Sequence, residues 1–339
     1  MARITDALGL TLLGLLTAAT GGWGALALFF SGPQNHLLRT ALAVAFAVVA
    51  LAALISLGFP SWRWRALVAY LALFVAVLGW WRSIEASNDR DWQPDVAVLP
   101  YATVEGDLVT VRNIRNFSYR SEFDYTPAYY DRQFDLRKLQ FVDLVAVYWM
   151  GPAIAHTFLS FGFEGGEHLA ISIETRKEKG EGYSTVKGFF RQYELFYVVA
   201  DERDVIGLRT NHRHDPPEDV YVYRVAGGLE EGRRLFREYI DKMNSLKDKP
   251  EFYNTLTTNC TTNIWTHSRV NPAHLPFSWK ILASGYVPQY LYEHGRLDAG
   301  GLAFAELRRR AYVNARAKAA DGAADFSRRI REGDWRVPR

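Results

Sequence analysis

Three long stretches near the start of the chain contain almost no charged residues, and they constrain the fold more than any other feature. They run from Ala7 to Phe30, from Thr40 to Phe59 and from Ala66 to Trp81. Each is about as long as the roughly 20 residues that an α-helix needs to cross a bilayer. The first is longer than the apolar core of a signal peptide, which argues against a cleaved leader. The sequence therefore predicts three transmembrane helices.

The arginines that flank these stretches predict which side of the membrane the rest of the chain occupies. Arg3, Arg63 and Arg65 fall on one side, and Arg39 and Arg82 fall on the other. Cytoplasmic segments carry the excess of Lys and Arg, so the first side is assigned to the cytoplasm. An odd number of crossings then places everything after the third stretch outside the cytoplasm.

Composition predicts four regions. Residues 1–82 form the transmembrane region, 83–100 a polar linker, 101–300 a catalytic domain and 301–339 a basic C-terminal tail. From Arg308 onward the tail holds ten Lys or Arg against four Asp or Glu. The sequence leaves open whether this charge touches anionic lipid headgroups or forms a solvated helix face. No recognised nucleic-acid motif accompanies it, so nucleic acid is not an expected partner.

The region between residues 101 and 300 reads as strands followed by helices. An amphipathic helix is predicted from Leu229 to Leu246, and a second helix is predicted from Cys260 to about Arg269. The order indicates an α+β domain with an antiparallel sheet. The runs typical of strands are Gly106–Val111, Phe141–Trp149, Ile154–Phe163, Leu169–Thr175, Leu195–Val199 and Val220–Tyr223.

Cys260 is the only cysteine in 339 residues. It can form neither an intramolecular disulfide nor a zinc site with several cysteines, so its thiol is either a small buried apolar group or a reactive one. The Thr and Asn residues around it favour helix N-caps, which puts the sulfur at a helix start where a thiolate is stabilised. These hydroxyl and amide neighbours favour a polar active site over an apolar core position.

A cysteine nucleophile needs a base, and His156 is the best candidate among eight histidines because it lies on a predicted core strand. Glu174 or His168 could orient its ring. A four-residue turn after that strand puts Glu174 opposite Thr157 and on the wrong face, whereas a one-residue bulge in the turn brings it beside His156. The sequence leaves this choice open. No HExxH or paired-Cys spacing is present, so neither a metal nor a cofactor is expected.

Four segments resemble the Lnb N-terminal periplasmic domain family of bacteria, which is named after a lipoprotein transacylase. They are Asn116–Arg120, Ala155–Phe163, Ser172–Glu178 and Tyr253–Asn263. The resemblance implies an enzymatic activity, the transfer of an acyl chain from a lipid glycerol to a lipoprotein amine. It covers roughly residues 104–269 and leaves the three apolar stretches and the basic tail unexplained.

A more distant similarity is to the circularly permuted papain-like group, which includes NlpC-like hydrolases. It implies Cys260 as nucleophile, His156 as base and Glu174 or His168 as the orienting residue. The backbone N–H of Cys260 and the side chain of Asn259 are then candidates to hold an oxyanion. Further candidates for the cleft, each with a surface structural role as the alternative, are Tyr253, Asn254, Arg176 and Glu178.

The sequence thus predicts an enzyme: a membrane-anchored thiol acyltransferase or acyl hydrolase acting on lipid or lipoprotein substrates at the bilayer. We expect it in the bacterial cytoplasmic membrane, with its C-terminal domain in the periplasm. A cysteine peptidase or amidase acting on cell-wall peptide, and an anchored domain without catalytic activity, remain alternatives. The acyl donor, the acceptor and the oligomeric state are left open.

Overall fold

The computed structural model describes residues 2–332. The last seven residues of the predicted basic tail, 333–339, lie outside the described residues, as does the side chain of Arg3. The chain divides into two compact units. Unit 1 comprises the described residues before Asn88 together with Tyr183–Tyr193, and unit 2 comprises Asn88–Gly182 and the described residues from Glu194 onward.

Unit 1 contains three long helices: α1 (Ala2–Ser31), α2 (His36–Ser56) and α3 (Arg63–Ser83). All three are long and apolar enough to cross a membrane, over Ala7–Ser31 in the first helix and over the whole of the other two. Most of their apolar side chains point away from the unit, while Phe46 and Tyr70 pack between the helices. These helices coincide with the three apolar stretches and fit a membrane-anchored protein.

The loop Tyr183–Tyr193 belongs to unit 1 although it lies between two strands of unit 2 in sequence. The Phe190 ring stacks on Phe30 with 5.4 Å between centroids, and the Ser31 hydroxyl donates to the Phe190 carbonyl at 2.5 Å. Arg191 donates to the Ile84 carbonyl at 2.6 Å and lies over the Trp81 ring. The loop is therefore fixed to the C-terminal ends of α1 and α3.

Unit 2 is built on a sheet with the strand order β1-β2-β9-β8-β7-β6-β10, and β5 also pairs with β2. A separate two-stranded sheet pairs β3 with β4. The strands are β1 (Tyr101–Glu105), β2 (Leu108–Arg115), β3 (Ser118–Tyr119), β4 (Tyr125–Thr126), β5 (Tyr129–Asp135), β6 (Leu139–Tyr148), β7 (His156–Phe163), β8 (His168–Arg176), β9 (Glu194–Ala200) and β10 (Asp219–Arg224).

The large sheet is mixed, so the predicted antiparallel sheet is wrong in one respect. Strands β2 and β9 pair in parallel through Arg115 and Ala200, whereas the other neighbours are antiparallel. These two strands are far apart in sequence, so no tight hairpin imposes an antiparallel direction on them. The predicted α+β class is correct.

Eight helices belong to unit 2. Helix α5 packs the side chains of Phe236, Tyr239 and Ile240 into the core. The helices are α4 (Glu202–Gly207), α5 (Leu229–Asp248), α6 (Cys260–Ser268), α7 (Trp279–Leu282), α8 (Val287–Glu293), α9 (Phe304–Ala311), α10 (Asn314–Ala319) and α11 (Phe326–Arg329).

Residues 301–332, which the sequence predicted as a basic tail, fold as part of unit 2. Val313, Ala317, Phe326 and Ile330 are buried in one apolar cluster with strand residues of β6, β9 and β10. Arg and Lys residues lie between these apolar residues in the sequence and mask the apolar pattern. In the structure, the apolar residues pack against the sheet.

Residues 164–167 connect β7 to β8. The Phe163 backbone N–H donates to the Glu167 carbonyl at 2.8 Å, and Gly165 and Gly166 adopt φ values of 85° and 80°. Such left-handed conformations favour glycine. Leu159 pairs with Ile171 and Gly162 with His168, and continuing this register sets Glu174 level with His156. Of the two predicted registers, the chain therefore adopts the one that brings Glu174 beside His156.

Close packing over β7 predicts that Gly162→Ala destabilises unit 2. A Cβ at Gly162 would overlap the Phe141 ring, which the Arg224 guanidinium covers at 3.4 Å from its centroid. Overpacking of this kind costs about 1–3 kcal/mol. We expect a lower midpoint of thermal unfolding in near-ultraviolet circular dichroism. Gly182→Ala, with open space around it, is the control and should leave the midpoint unchanged; equal midpoints for both variants would contradict the packing described.

Candidate active site

Cys260 is the first residue of α6, and its position follows from the cap that precedes it. Asn259 is extended, and its Oδ1 accepts the backbone N–H of Thr262 at 2.8 Å. This is the usual N-cap arrangement, which begins the helix at the next residue. The Cys260 backbone N–H, being in the first turn, has no acceptor within the helix. The sulfur therefore stands at the positive end of the α6 dipole.

The sulfur of Cys260 is held against the start of β7. The His156 imidazole and the Thr157 backbone N–H both lower the pKa of this thiol. The Thr261 hydroxyl lies 3.7 Å away. Thr157 and Thr261 are joined by a hydrogen bond of 2.9 Å between their hydroxyls, which ties α6 to the strand. Cysteine and histidine, remote in sequence, are thus brought together by one strand and one helix.

Glu174 lies on the other side of the imidazole. His156 Nε2 donates to Ser172 Oγ at 2.7 Å, and the Ser172 hydroxyl in turn donates to Glu174 Oε1 at 2.7 Å. Nε2 also lies 3.1 Å from Glu174 Oε1. Because Nε2 faces these two side chains, Nδ1 is the ring nitrogen left to face the sulfur. The carboxylate and the hydroxyl together fix the tautomer and the ring plane.

Arg209 forms an ion pair with Glu174. Its Nη2 donates to Glu174 Oε1 at 2.8 Å, and its Nη1 donates to Glu218 Oε2 at 3.4 Å. Glu218 also accepts from Arg213 at 3.0 Å. Arg209 is 5% exposed and lies on Leu208–His212, a single π-helical turn of the kind often found at functional sites. Acidic and basic groups thus alternate from His156 to Arg213.

The charges in this group shift one another's pKa values. Burial alone would raise the pKa of Cys260, but the charge and hydrogen bond of His156 outweigh it and lower the pKa to about 7. Burial likewise disfavours the charged form of His156. The negative charges of Glu174 and Cys260 outweigh the effect of burial and raise the pKa of His156 to about 9. Against burial, His156 and Arg209 hold the pKa of Glu174 well below its usual range. A thiolate and an imidazolium therefore coexist near neutral pH.

Of the predicted site residues, the structure brings Cys260, His156 and Glu174 together. It places His168 at the far end of the strand pair, where Nδ1 lies 2.9 Å from the Gly166 carbonyl. Asn259 caps α6 and donates from its amide to the Thr255 carbonyl at 2.7 Å.

The other predicted cleft residues make structural contacts or are buried. Arg176 is buried and donates to the Val96 and Ala97 carbonyls at 2.9 and 2.8 Å. The Asn254 carboxamide accepts from the backbone N–H groups of Leu256 and Thr257, both at 3.0 Å. Tyr253 is 7% exposed. Glu178 forms an ion pair with Arg90 at 2.9 Å.

Sequence reasoning did not find Ser172 and Arg209. Ser172 precedes Glu174 by two residues on β8, so the two share a face of the sheet, and this signal could have identified it. Arg209 lies on the π-helical turn after α4, and no sequence spacing connects it to Glu174. In residues 2–332, no group of three or more His, Cys, Asp or Glu could hold a metal ion.

Residues 125–285 match the family model of the Lnb N-terminal periplasmic domain. The resemblance predicted from the sequence is confirmed. The matched segment contains Cys260, His156, Ser172, Glu174 and Arg209. It covers less than half of the chain, and the three apolar helices lie outside it. The chain has no significant match among curated proteins or solved structures.

The charge pair predicts how Cys260 reacts with iodoacetamide. With the pKa lowered to about 7, the alkylation rate should reach half its maximum near pH 7. His156→Gln removes the cation and leaves burial, so the midpoint should move above pH 8 and the rate at pH 7 should fall roughly tenfold or more. Mass spectrometry of the Cys260 peptide measures the rate. His168→Gln is the matched control and should keep the wild-type profile. An unchanged midpoint in His156→Gln would contradict the pairing.

Glu174→Gln should change the pH midpoint of Cys260 alkylation indirectly, through the pKa of His156. The neutral amide removes the largest contribution that raises the pKa of His156, so the imidazolium is lost at lower pH and the thiolate loses its partner. We expect the alkylation midpoint to rise, but by less than in His156→Gln. Glu178→Gln is a control outside the group. A midpoint that falls in Glu174→Gln would show that the carboxylate does not support the imidazolium.

Proposed function

We propose that the protein is a membrane-anchored thiol acyltransferase or acyl hydrolase whose substrates are lipids or lipoproteins. The observation that carries this proposal is the charged group in which His156 lowers the pKa of Cys260 and His156 Nε2 lies 3.1 Å from Glu174 Oε1. A thiolate beside an imidazolium suits attack on a carbonyl carbon, because nucleophile and proton donor are ready before the substrate arrives. The match to a periplasmic domain family and the three apolar helices support a substrate in the cell envelope.

The chain order supports the finer interpretation of the domain as circularly permuted papain-like. His156 begins a strand, Glu174 lies on the next one, and Cys260 follows much later at a helix start. This order is the one that the resemblance implied for a base, an orienting residue and a nucleophile. The same proposal assigns the protein to the bacterial cytoplasmic membrane, with unit 2 in the periplasm.

In the first half of the reaction, the Cys260 thiolate attacks the carbonyl carbon of a lipid ester. A carbon–sulfur bond forms, and the carbonyl oxygen becomes an oxyanion for which the Cys260 backbone N–H is the candidate donor. The carbon–oxygen bond to the alcohol then breaks, and the leaving oxygen takes the proton of the His156 imidazolium. The products are a thioester on Cys260, a neutral imidazole and a free alcohol.

In the second half, an amine or a water molecule attacks the thioester carbonyl. His156 accepts the proton of the attacking group and becomes an imidazolium again, and the carbon–sulfur bond breaks to return the thiolate. An amine acceptor gives an amide, and water gives a fatty acid. Glu174 stays ionised throughout and holds the ring in place, while Ser172 links the two by hydrogen bonds.

Acyl transfer to Cys260 is tested with the full chain in nanodiscs that contain a phospholipid with an alkyne-tagged acyl chain. We expect the tag on the Cys260 peptide, its release by neutral hydroxylamine, and at least a hundredfold slower tagging in His156→Ala. Cys260→Ser should show no hydroxylamine-sensitive tag. Cleavage of muropeptides without any acyl-Cys260 would instead support the peptidase alternative, and absence of both would leave the lipid proposal refuted.

A further inference from the structure

A cavity of about 970 Å³ lies within unit 2, between the sheet, the helices α5 and α6, and the segment that runs to α8. It reaches the upper end of the roughly 300–1,000 Å³ that small-molecule sites occupy. Its wall is mostly aliphatic and aromatic, with Leu144 and Leu159 from the sheet, Leu235 from α5, and Ile264 and Trp265 from α6. The cavity is therefore both large and predominantly apolar.

The cavity begins one residue from the candidate nucleophile. Thr261 lines it, and the Thr261 hydroxyl lies 3.7 Å from the Cys260 sulfur. Ile264 and Trp265 follow on the same helix and continue the wall away from the sulfur. A ligand whose reactive carbon is at Cys260 and whose tail passes Thr261 would extend along this wall. Thr261 thus belongs both to the cavity wall and to the surroundings of the sulfur, an arrangement that suits a long, thin substituent.

The arginines at the cavity wall have carboxylate partners. Among the lining residues are three arginines, and each is held by a carboxylate. Arg224 pairs with Asp143 at 2.5 Å, Arg331 pairs with Glu202 at 2.5 Å, and Arg296 pairs with Glu231 at 3.4 Å. With these cations engaged, the lining favours an uncharged, apolar occupant over an anionic one.

We propose that this cavity binds the acyl chain of the substrate while its carbonyl carbon is at Cys260. The inference rests on the proposed function and deepens it, since it names a long-chain acyl ester as the substrate class. Burial of each further methylene should raise kcat/KM by roughly fourfold until the cavity is filled. The chain length at which this rise ends is then set by the far wall of the cavity.

Filling the cavity from either wall should shorten the acyl chain that the enzyme prefers in its substrate. Ile264→Trp and Leu235→Trp place a larger ring in the space, and both side chains are only partly buried in protein. With p-nitrophenyl esters of four to sixteen carbons and the full chain in nanodiscs, we expect kcat/KM for the longest ester to fall about tenfold or more. The shortest ester should change less than twofold. Val104→Trp, on exposed β1, is the matched control and should leave the series unchanged.

A binding measurement keeps this inference separate from the proposed reaction. Cys260→Ser protein in nanodiscs is irradiated with a phospholipid whose acyl chain carries a diazirine, and the adducts are mapped by mass spectrometry. We expect adducts on the peptide that contains Ile264 and Trp265, and their loss when Ile264→Trp is added. Adducts on α1, α2 and α3 serve as the internal control and should persist.

The outcomes distinguish the two proposals. Adducts confined to the three apolar helices, or a cavity variant that slows short and long esters equally, would overturn the acyl-chain cavity. Cavity adducts without any acylation of the wild-type Cys260 would support lipid binding there and refute the thiol reaction. An ester series that depends on chain length in the wild type and not in the cavity variants supports both.

Discussion

The candidate site depends on an ionised carboxylate, Glu174, that lies partly buried beside an imidazole. Glu174 and His156 both lose solvation, which disfavours their charged forms. Three contacts offset that cost: the imidazolium itself, the Ser172 hydroxyl and the Arg209 guanidinium, all on one carboxylate oxygen. The thiolate of Cys260 then balances the charge on the far side of the ring. The charges on His156, Glu174 and Cys260 therefore support one another.

The β7–β8 register makes this arrangement geometrically possible. Side chains alternate between the faces of a sheet, so a shift of one residue would turn Glu174 away from His156. The two left-handed glycines of the turn, Gly165 and Gly166, set the register. The second requirement is the contact between α6 and β7, where Thr157 and Thr261 hold the helix start against the strand. A short turn and one pair of hydroxyls thus position the candidate catalytic side chains.

The sequence predicted some of these features because their signals are local. Apolar length identified the three helices that are long enough to cross a membrane. The Asn and Thr residues identified the helix that starts at Cys260, and motif likeness identified the family. Features that depend on contacts remote in sequence were missed or left open. The parallel pairing of β2 with β9 has no hairpin signal, Arg209 reaches Glu174 only after folding, and the sequence allowed two registers for Glu174. The apolar residues of 301–332 were hidden by the arginines between them, which suggested a tail where the chain covers the sheet.

The central claim is that Cys260 is a thiolate near neutral pH because His156 is an imidazolium. Since the chain has one cysteine, the ultraviolet absorbance of the thiolate, taken as the difference between the wild type and Cys260→Ser, reports on this sulfur alone. Titration of that difference signal against pH tests the claim most directly. The account predicts a midpoint near pH 7, below the ordinary value of 9.0 for a cysteine. A midpoint at or above pH 9.0 would show that the thiol is unpaired and would contradict the account.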